Sequence, residues 1–331
     1  MCFHDESWPV RDQACLACGT FAKAYPELCL PELPTLWERW SSQLTDQIWS
    51  VREGAAVAIG DAMIAFGPQF GDKVLDYIEE LLPGAKNEPP MSQEEYDKRQ
   101  NDYELHSNSQ LYSCGSLAPK LRKGGCSDCL VTRPKALWEQ TDGCIYMIRE
   151  LCAKNGTGEL IITDEELYPM MEELADVARV KHFPLAEDLR CTLWKCLPEM
   201  ARGLGKKRFK SKYLNLFLDL MIRNLERGSA NSEHDAAMCA RELYGIVGEG
   251  ILKGRVRDVV GDHGVEIMSR CCAALNRGGH GPTGNVLEGD MSPFGPTMME
   301  GNVPPFGPPT VGGSVAIPKR KAYTWAGEEA F

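Results

Sequence analysis

The chain has 331 residues, of which 43% are hydrophobic and 25% charged, and a formal net charge of −11. This is the composition of a folded globular protein, long enough for two ordinary domains or one repeat array. The negative balance disfavours general binding to nucleic acid or anionic membrane surfaces. No apolar run of about 18 residues is present, so no transmembrane helix is expected.

The N-terminus, Met-Cys-Phe-His-Asp-Glu, lacks the basic and apolar regions of a signal peptide, so the expected compartment is the cytosol or nucleus. In chain order, residues 8–24 read as a helix: Pro9 suits a first turn, and Ala14, Cys15, Cys18 and Phe21 share one face. A proline-rich connection over 25–34 leads to a helix over 35–45, with Leu36, Trp40 and Leu44 on its stripe. A second helix follows over 50–66, where Ala55, Ala56, Ile59, Ala62 and Met63 alternate small and large groups and permit close packing. Gly67-Pro68 ends it, and 69–82 form the next helix. Residues 83–134 read as an insertion, holding a solvated helix over 92–108 capped by Ser92.

The helical pattern resumes near Trp138. Thr163-Asp-Glu-Glu166 is a capping box opening a helix to about Val180. Further helices are expected from Leu185 to Arg202, over 206–227, from a Ser232 cap to about Val247, and over 251–275. From residue 276 onward Gly, Pro, Met and Ser dominate, and Pro-Phe-Gly-Pro occurs at 293–296 and 305–308. Such a composition buries too little apolar surface to offset chain entropy, so a disordered low-complexity tail is expected over 276–331.

One pattern recurs. Asp5-Glu-Ser-Trp8-Pro-Val10-Arg11 and Asp46-Gln-Ile-Trp49-Ser-Val51-Arg52 are both D-x-x-W-x-V-R, 41 residues apart, each followed by small and apolar residues and a glycine at the same offset. Later units start near Asp142, Leu189 and Asp235, so the spacings outside the insertion fall in the range of about 40–47 residues typical of such repeats. The pattern resembles HEAT and armadillo repeats. The resemblance implies an all-α fold, a right-handed α-solenoid of about four to five helix pairs over 1–275. It also implies that Asp5, Arg11, Asp46 and Arg52 form a structural Asp–Arg ladder, with Asp142 and Arg190 as further members; the alternative is solvated surface charge.

Most of the 14 cysteines, Cys191, Cys196 and Cys239 among them, lie in apolar helical patterns and read as reduced core thiols. Cys15-Leu-Ala-Cys18 reads as core helix rather than a metal knuckle. Cys126-Ser-Asp-Cys129 has the spacing of a structural zinc half-site, which Cys114 and His106 could complete. A pair of loop thiols is the preferred reading, and no other cofactor is implied.

The strongest basic cluster is Lys206-Lys207-Arg208-Phe209-Lys210-Ser211-Lys212, a candidate contact for an acidic or phosphate-bearing partner. Tyr323 and Trp325 stand out in the tail as a candidate docking motif, and Pro318-Lys-Arg-Lys321 resembles a nuclear-import signal. No P-loop, G-x-S-x-G or H-E-x-x-H is present. The expected function is a non-enzymatic scaffold or adaptor that holds a protein partner on the solenoid surface. The alternatives are an enzyme or enzyme accessory of the HEAT-lyase type, using the insertion's cysteines, and third a nucleic-acid-binding adaptor using residues 206–212.

Overall fold

The computed structural model describes residues 2–5, 7–96 and 135–277. Among them the secondary structure is helical throughout, and the fold is all-α. The 3₁₀ turn Cys2–His4 precedes α1 (Trp8–Ala24), α2 (Pro26–Cys29), α3 (Leu33–Leu44), α4 (Trp49–Phe66) and α5 (Pro68–Leu81). After a 3₁₀ segment (Leu82–Asn87) come α6 (Leu137–Thr157), α7 (Asp164–Val177), α8 (Ala186–Leu204), α9 (Lys206–Lys212) and α10 (Leu214–Arg227). The last three are α11 (Ala230–Val247), α12 (Glu249–Val260) and α13 (Asp262–Arg277).

The helices pack in series. α1 lies on α4, α4 on α6, α6 on α8, α8 on α11 and α11 on α13. Small residues set these approaches. A Cβ on Gly19 would stand 2.6 Å from Ala58 Cα, and one on Gly203 would stand 2.3 Å from the Cys152 carbonyl oxygen. Gly143 faces Leu44 still more tightly, at 1.9 Å from its carbonyl oxygen. The intervening helices form their own succession. Trp37 of α3 meets Phe70 and Tyr77 of α5 edge-on, and α5 touches α7, α7 touches α10, and α10 touches α12. One continuous apolar core runs through both sets, with Trp40, Trp194, Phe209, Tyr213 and Phe217 its largest fully buried side chains.

Several expected boundaries move. The helix expected over 206–227 breaks at Tyr213, whose buried ring fills the core while its hydroxyl donates to Asp164 Oδ1 at 2.5 Å. The segment expected over 251–275 is two helices, because Gly261 adopts φ +92° and ends α12. Ser229, not Ser232, caps α11. Its Oγ accepts from Ser232 N–H, and Ser232 lies inside the helix, fully buried against Asn224. The capping box at Thr163 and Glu166 forms in both directions, and α7 ends at Val177, three residues before the expected Val180.

The break placed at residue 83 comes later. Leu82 and Ala85 are buried, Thr141 Oγ1 accepts from Ala85 N–H at 2.8 Å and donates to Leu82 O, and His182 bonds the Glu88 carbonyl. Ser92 Oγ accepts from Glu95 N–H at the start of a helical turn over 93–96. The remainder of the expected insertion helix and the tail after 277 lie outside the described residues.

Candidate protein-binding groove

The repeated D-x-x-W-x-V-R stretch builds a chain of ion pairs. In each copy the aspartate's Oδ1 accepts the backbone N–H two residues on: Asp5 from Ser7 at 2.9 Å and Asp46 from Ile48 at 2.9 Å. The arginine six residues on reaches back to the aspartate's own carbonyl oxygen, Arg11 to Asp5 at 2.8 Å and Arg52 to Asp46 at 2.6 Å. Its remaining donors grip the carboxylate of the following unit. Arg11 holds Asp46 through Nε and Nη2, both at 3.0 Å, and Arg52 holds Asp142 through Nε at 2.8 Å and Nη2 at 2.7 Å. Asp142 is 0% and Arg52 2% exposed, so this second rung is a buried charge pair, with Trp138 stacked over the guanidinium.

The ladder stops there. Arg190, expected as a further member, turns to the carbonyls of Ala178 and Val180 and to Glu187. Asp188 lies near Asp142, and burial and then that like charge push its carboxyl above the ordinary range. A separate cluster takes over. Arg149 reaches Glu53, Glu150 and Glu199, and Lys154 reaches Asp61 at 2.8 Å.

Among the residues singled out for partner contact, Arg208 is occupied within the chain. It donates to Asp164 Oδ1 and Asn155 Oδ1, both at 2.7 Å, and to Ile162 O at 2.9 Å. Burial would lower its pKa, but the bond to Asp164 and the charges of Asp164 and Tyr213 together outweigh that and raise it. Lys206, Lys207 and Lys212 remain on the surface, Lys210 is half-buried, and Lys212 approaches Asp164 at 3.9 Å. His106, Cys114, Cys126, Cys129, Tyr323 and Trp325 lie outside the described residues. Among the described residues no group of three or more His, Cys, Asp and Glu is placed to hold a metal ion. Cys15 and Cys18 stand in α1, Cys15 fully buried with its thiol on Gln43. Cys196 and Cys239 are buried as expected, whereas Cys191 is half-buried; burial and then Asp235 push its thiol up to about 12.

A concavity among the described residues was not evident from the sequence. It is a groove of about 940 Å³ between the end of α5 with its 3₁₀ extension, α7, and the start of α10. Its floor is Leu82, Met170, Ala175 and Leu216, and its rim is charged. Lys86 crosses from the 3₁₀ segment to α7, 2.6 Å from Asp176 and 2.8 Å from Glu173. These bonds raise the Lys86 pKa and hold the Asp176 carboxyl below the usual range. Glu79 and Glu172 project beside them, exposed. Pro169, in the second turn of α7, has no N–H to donate to the preceding turn and lines the same wall.

Past Arg179, which donates to the Ala175 and Leu216 carbonyls, the groove meets a small basic cleft. Arg179, Lys181, Arg190, Arg223 and Arg227 line it with Glu187 as the sole acidic residue. Arg190 is buried and fixed, while Lys181, Arg223 and Arg227 are exposed. The surface thus runs from carboxylate-rich to guanidinium-rich over an apolar floor. The i, i+4 pair Arg223 and Arg227 on α10 was the one trace of it in the sequence.

No family model, curated protein or solved structure matches this chain. No helix among the described residues is long and apolar enough to cross a membrane.

Proposed function

We propose that the helix array is a HEAT- or armadillo-like α-solenoid acting as a non-enzymatic scaffold or adaptor, and that it holds an extended or helical protein segment in the groove beside α7. The observation that carries this reading is the open, charge-graded groove with its apolar floor. An apolar floor supplies burial, and a charged rim supplies orientation and register. The fitting segment carries basic side chains where Glu79 and Glu172 stand and acidic ones at the Lys181, Arg223 and Arg227 end. The serial packing of helices supports the solenoid reading, since stacked helix pairs leave an extended wall of this kind.

The test is affinity capture with the full chain as bait beside a Lys181→Glu/Arg223→Glu/Arg227→Glu variant. The three side chains are exposed, and the reversal breaks only the surface pairs Arg223–Asp219 and Arg227–Glu226, so the fold should persist with a small drop in melting temperature. A stoichiometric protein partner retained by the natural chain and lost by the variant is the expected result. The same partner on both baits would move binding away from the groove, and no partner on either would remove the scaffold reading.

A further inference from the structure

The Asp–Arg ladder has an open rung. Asp46 uses Oδ1 to accept Ile48 N–H, uses its carbonyl to accept Arg52, and presents its carboxylate to both Nε and Nη2 of Arg11. Asp5 repeats the first two bonds, to Ser7 N–H and from Arg11. It is exposed, and among the described residues no arginine stands on its carboxylate.

The helix beside it repeats the pattern. α4 meets α1 at Ala58, which faces Gly19, and at Gly54, which faces Asp12 and Leu16; beside them on α4, Val51, Ala55 and Ala62 are, like Ala58, 0% exposed. The residues 41 positions before Val51, Gly54, Ala55, Ala58 and Ala62 are Val10, Gln13, Ala14, Ala17 and Phe21, and on α1 all but the half-buried Ala14 are exposed. Val10 is 38% and Phe21 50% exposed, and the apolar surface continues through Tyr25 at 54% and Leu28 at 69%. A contiguous exposed apolar stripe of this kind marks an interaction site. The equivalent stripe of α4 is buried by a helix whose fourth residue is the arginine that fills Asp46.

We propose that the α1 edge is a docking surface for an α-helix of a partner helical-repeat protein, whose first-turn arginine occupies the Asp5 carboxylate. This deepens the scaffold reading and rests on it. The occupant is a helix because the stripe reproduces one that a helix covers on α4. It carries arginine because Asp5 is preset for the bidentate bond that Asp46 makes. It carries a small residue opposite Phe21, which stands where α4 has Ala62. A second copy of this chain fits less well. Its helix at the other end of the series, α13, opens Asp262-His-Gly-Val and has no arginine before Arg270, and two chains of charge −11 repel.

The test places a photo-crosslinking benzoyl-phenylalanine at Phe21 of the full chain, in extract of the cells that express it, and maps the crosslinked peptide by mass spectrometry. The purified pair is then compared by calorimetry using Asp5→Asn and Asp5→Arg. The expected result is a crosslink to a partner helix with an arginine in its first turn. Asp5→Asn should weaken binding at least tenfold, and Asp5→Arg should be rescued by Arg→Asp in the partner. The melting temperature should hold in both variants, since within the described residues the carboxylate supports only the Ser7 N–H. A crosslink to a second copy, to a non-helical segment or to a helix without arginine would overturn the proposal, as would no crosslink or an unchanged Kd in Asp5→Asn. If groove-dependent capture persists while the α1 edge stays unoccupied, the scaffold reading stands and this proposal falls. If neither surface finds a partner, both fall.

Discussion

Arg52 and Asp142 carry the clearest single-residue consequence. Both are buried, with side chains 3% and 1% exposed, and the Arg52 guanidinium ties the start of α4 to α6 by touching the Asp46 carbonyl, Asp142 and Trp138. Removing one member of a buried pair leaves the other desolvated and unpaired, which costs about 3–5 kcal/mol. Arg52→Ala should therefore lower stability by about that amount in chemical denaturation. Arg52→Met with Asp142→Leu should cost much less than the sum of the single changes, because neither charge is then left alone. An additive double variant would show that the pair contributes no coupling. The same residues show what a motif reveals. The aspartate and arginine positions could be read from the sequence because their spacing recurs. Trp49, equally fixed in the motif, is 60% exposed and lies outside the core that Trp40 and Trp194 fill.

At the scale of elements, glycine placement separates helices held by contact from helices that are merely helical. Gly143 sits where α6 crosses the end of α3, and a Cβ there would lie 1.9 Å from Leu44 O, a backbone atom that cannot rotate away. Gly143→Ala should destabilise by about 1–3 kcal/mol, the usual cost of overpacking. Gly254 lies in α12 with nothing within 4 Å of an added Cβ. Gly254→Ala should instead stabilise by about 0.5–1 kcal/mol, because alanine loses less chain entropy in a helix. Thermal melts of the two variants should move in opposite directions. Two shifts of the same sign would mean that backbone propensity, not helix spacing, governs both sites. Periodicity located nearly every long helix, but it could not place the break at Tyr213. That break depends on what the ring reaches: a buried site and the Asp164 carboxylate on another helix.

For the whole described body, the order of contacts governs how disturbance spreads. α13 packs on α10, α11 and α12, and α1 packs at the opposite end on α4. Met268 in α13 is 0% exposed, so Met268→Ala should cost about 2–5 kcal/mol locally. In native-state hydrogen exchange, amides over 249–277 should then lose protection while those of α1 and α4 keep theirs. Uniform loss along the chain would show a single cooperative unit in place of serially coupled neighbours.

Apolar periodicity was enough to determine the positions of most of the described helices, and the 41-residue recurrence an Asp–Arg motif at fixed spacing. These are local or periodic properties, and a helix stripe is written in residues three and four apart. Which stripe is covered is another matter. Val10 and Val51 occupy the same place in the same motif, yet one is 38% exposed and the other 0%, because a helix lies over α4 and none lies over that face of α1 among the described residues. The apolar floor of the groove had no sequence signature for a related reason. Leu82, Met170 and Leu216 are brought to one floor only when α5, α7 and α10 stand side by side. Helix formation is decided within a few turns of chain, whereas concavity and cover are decided by which helices become neighbours.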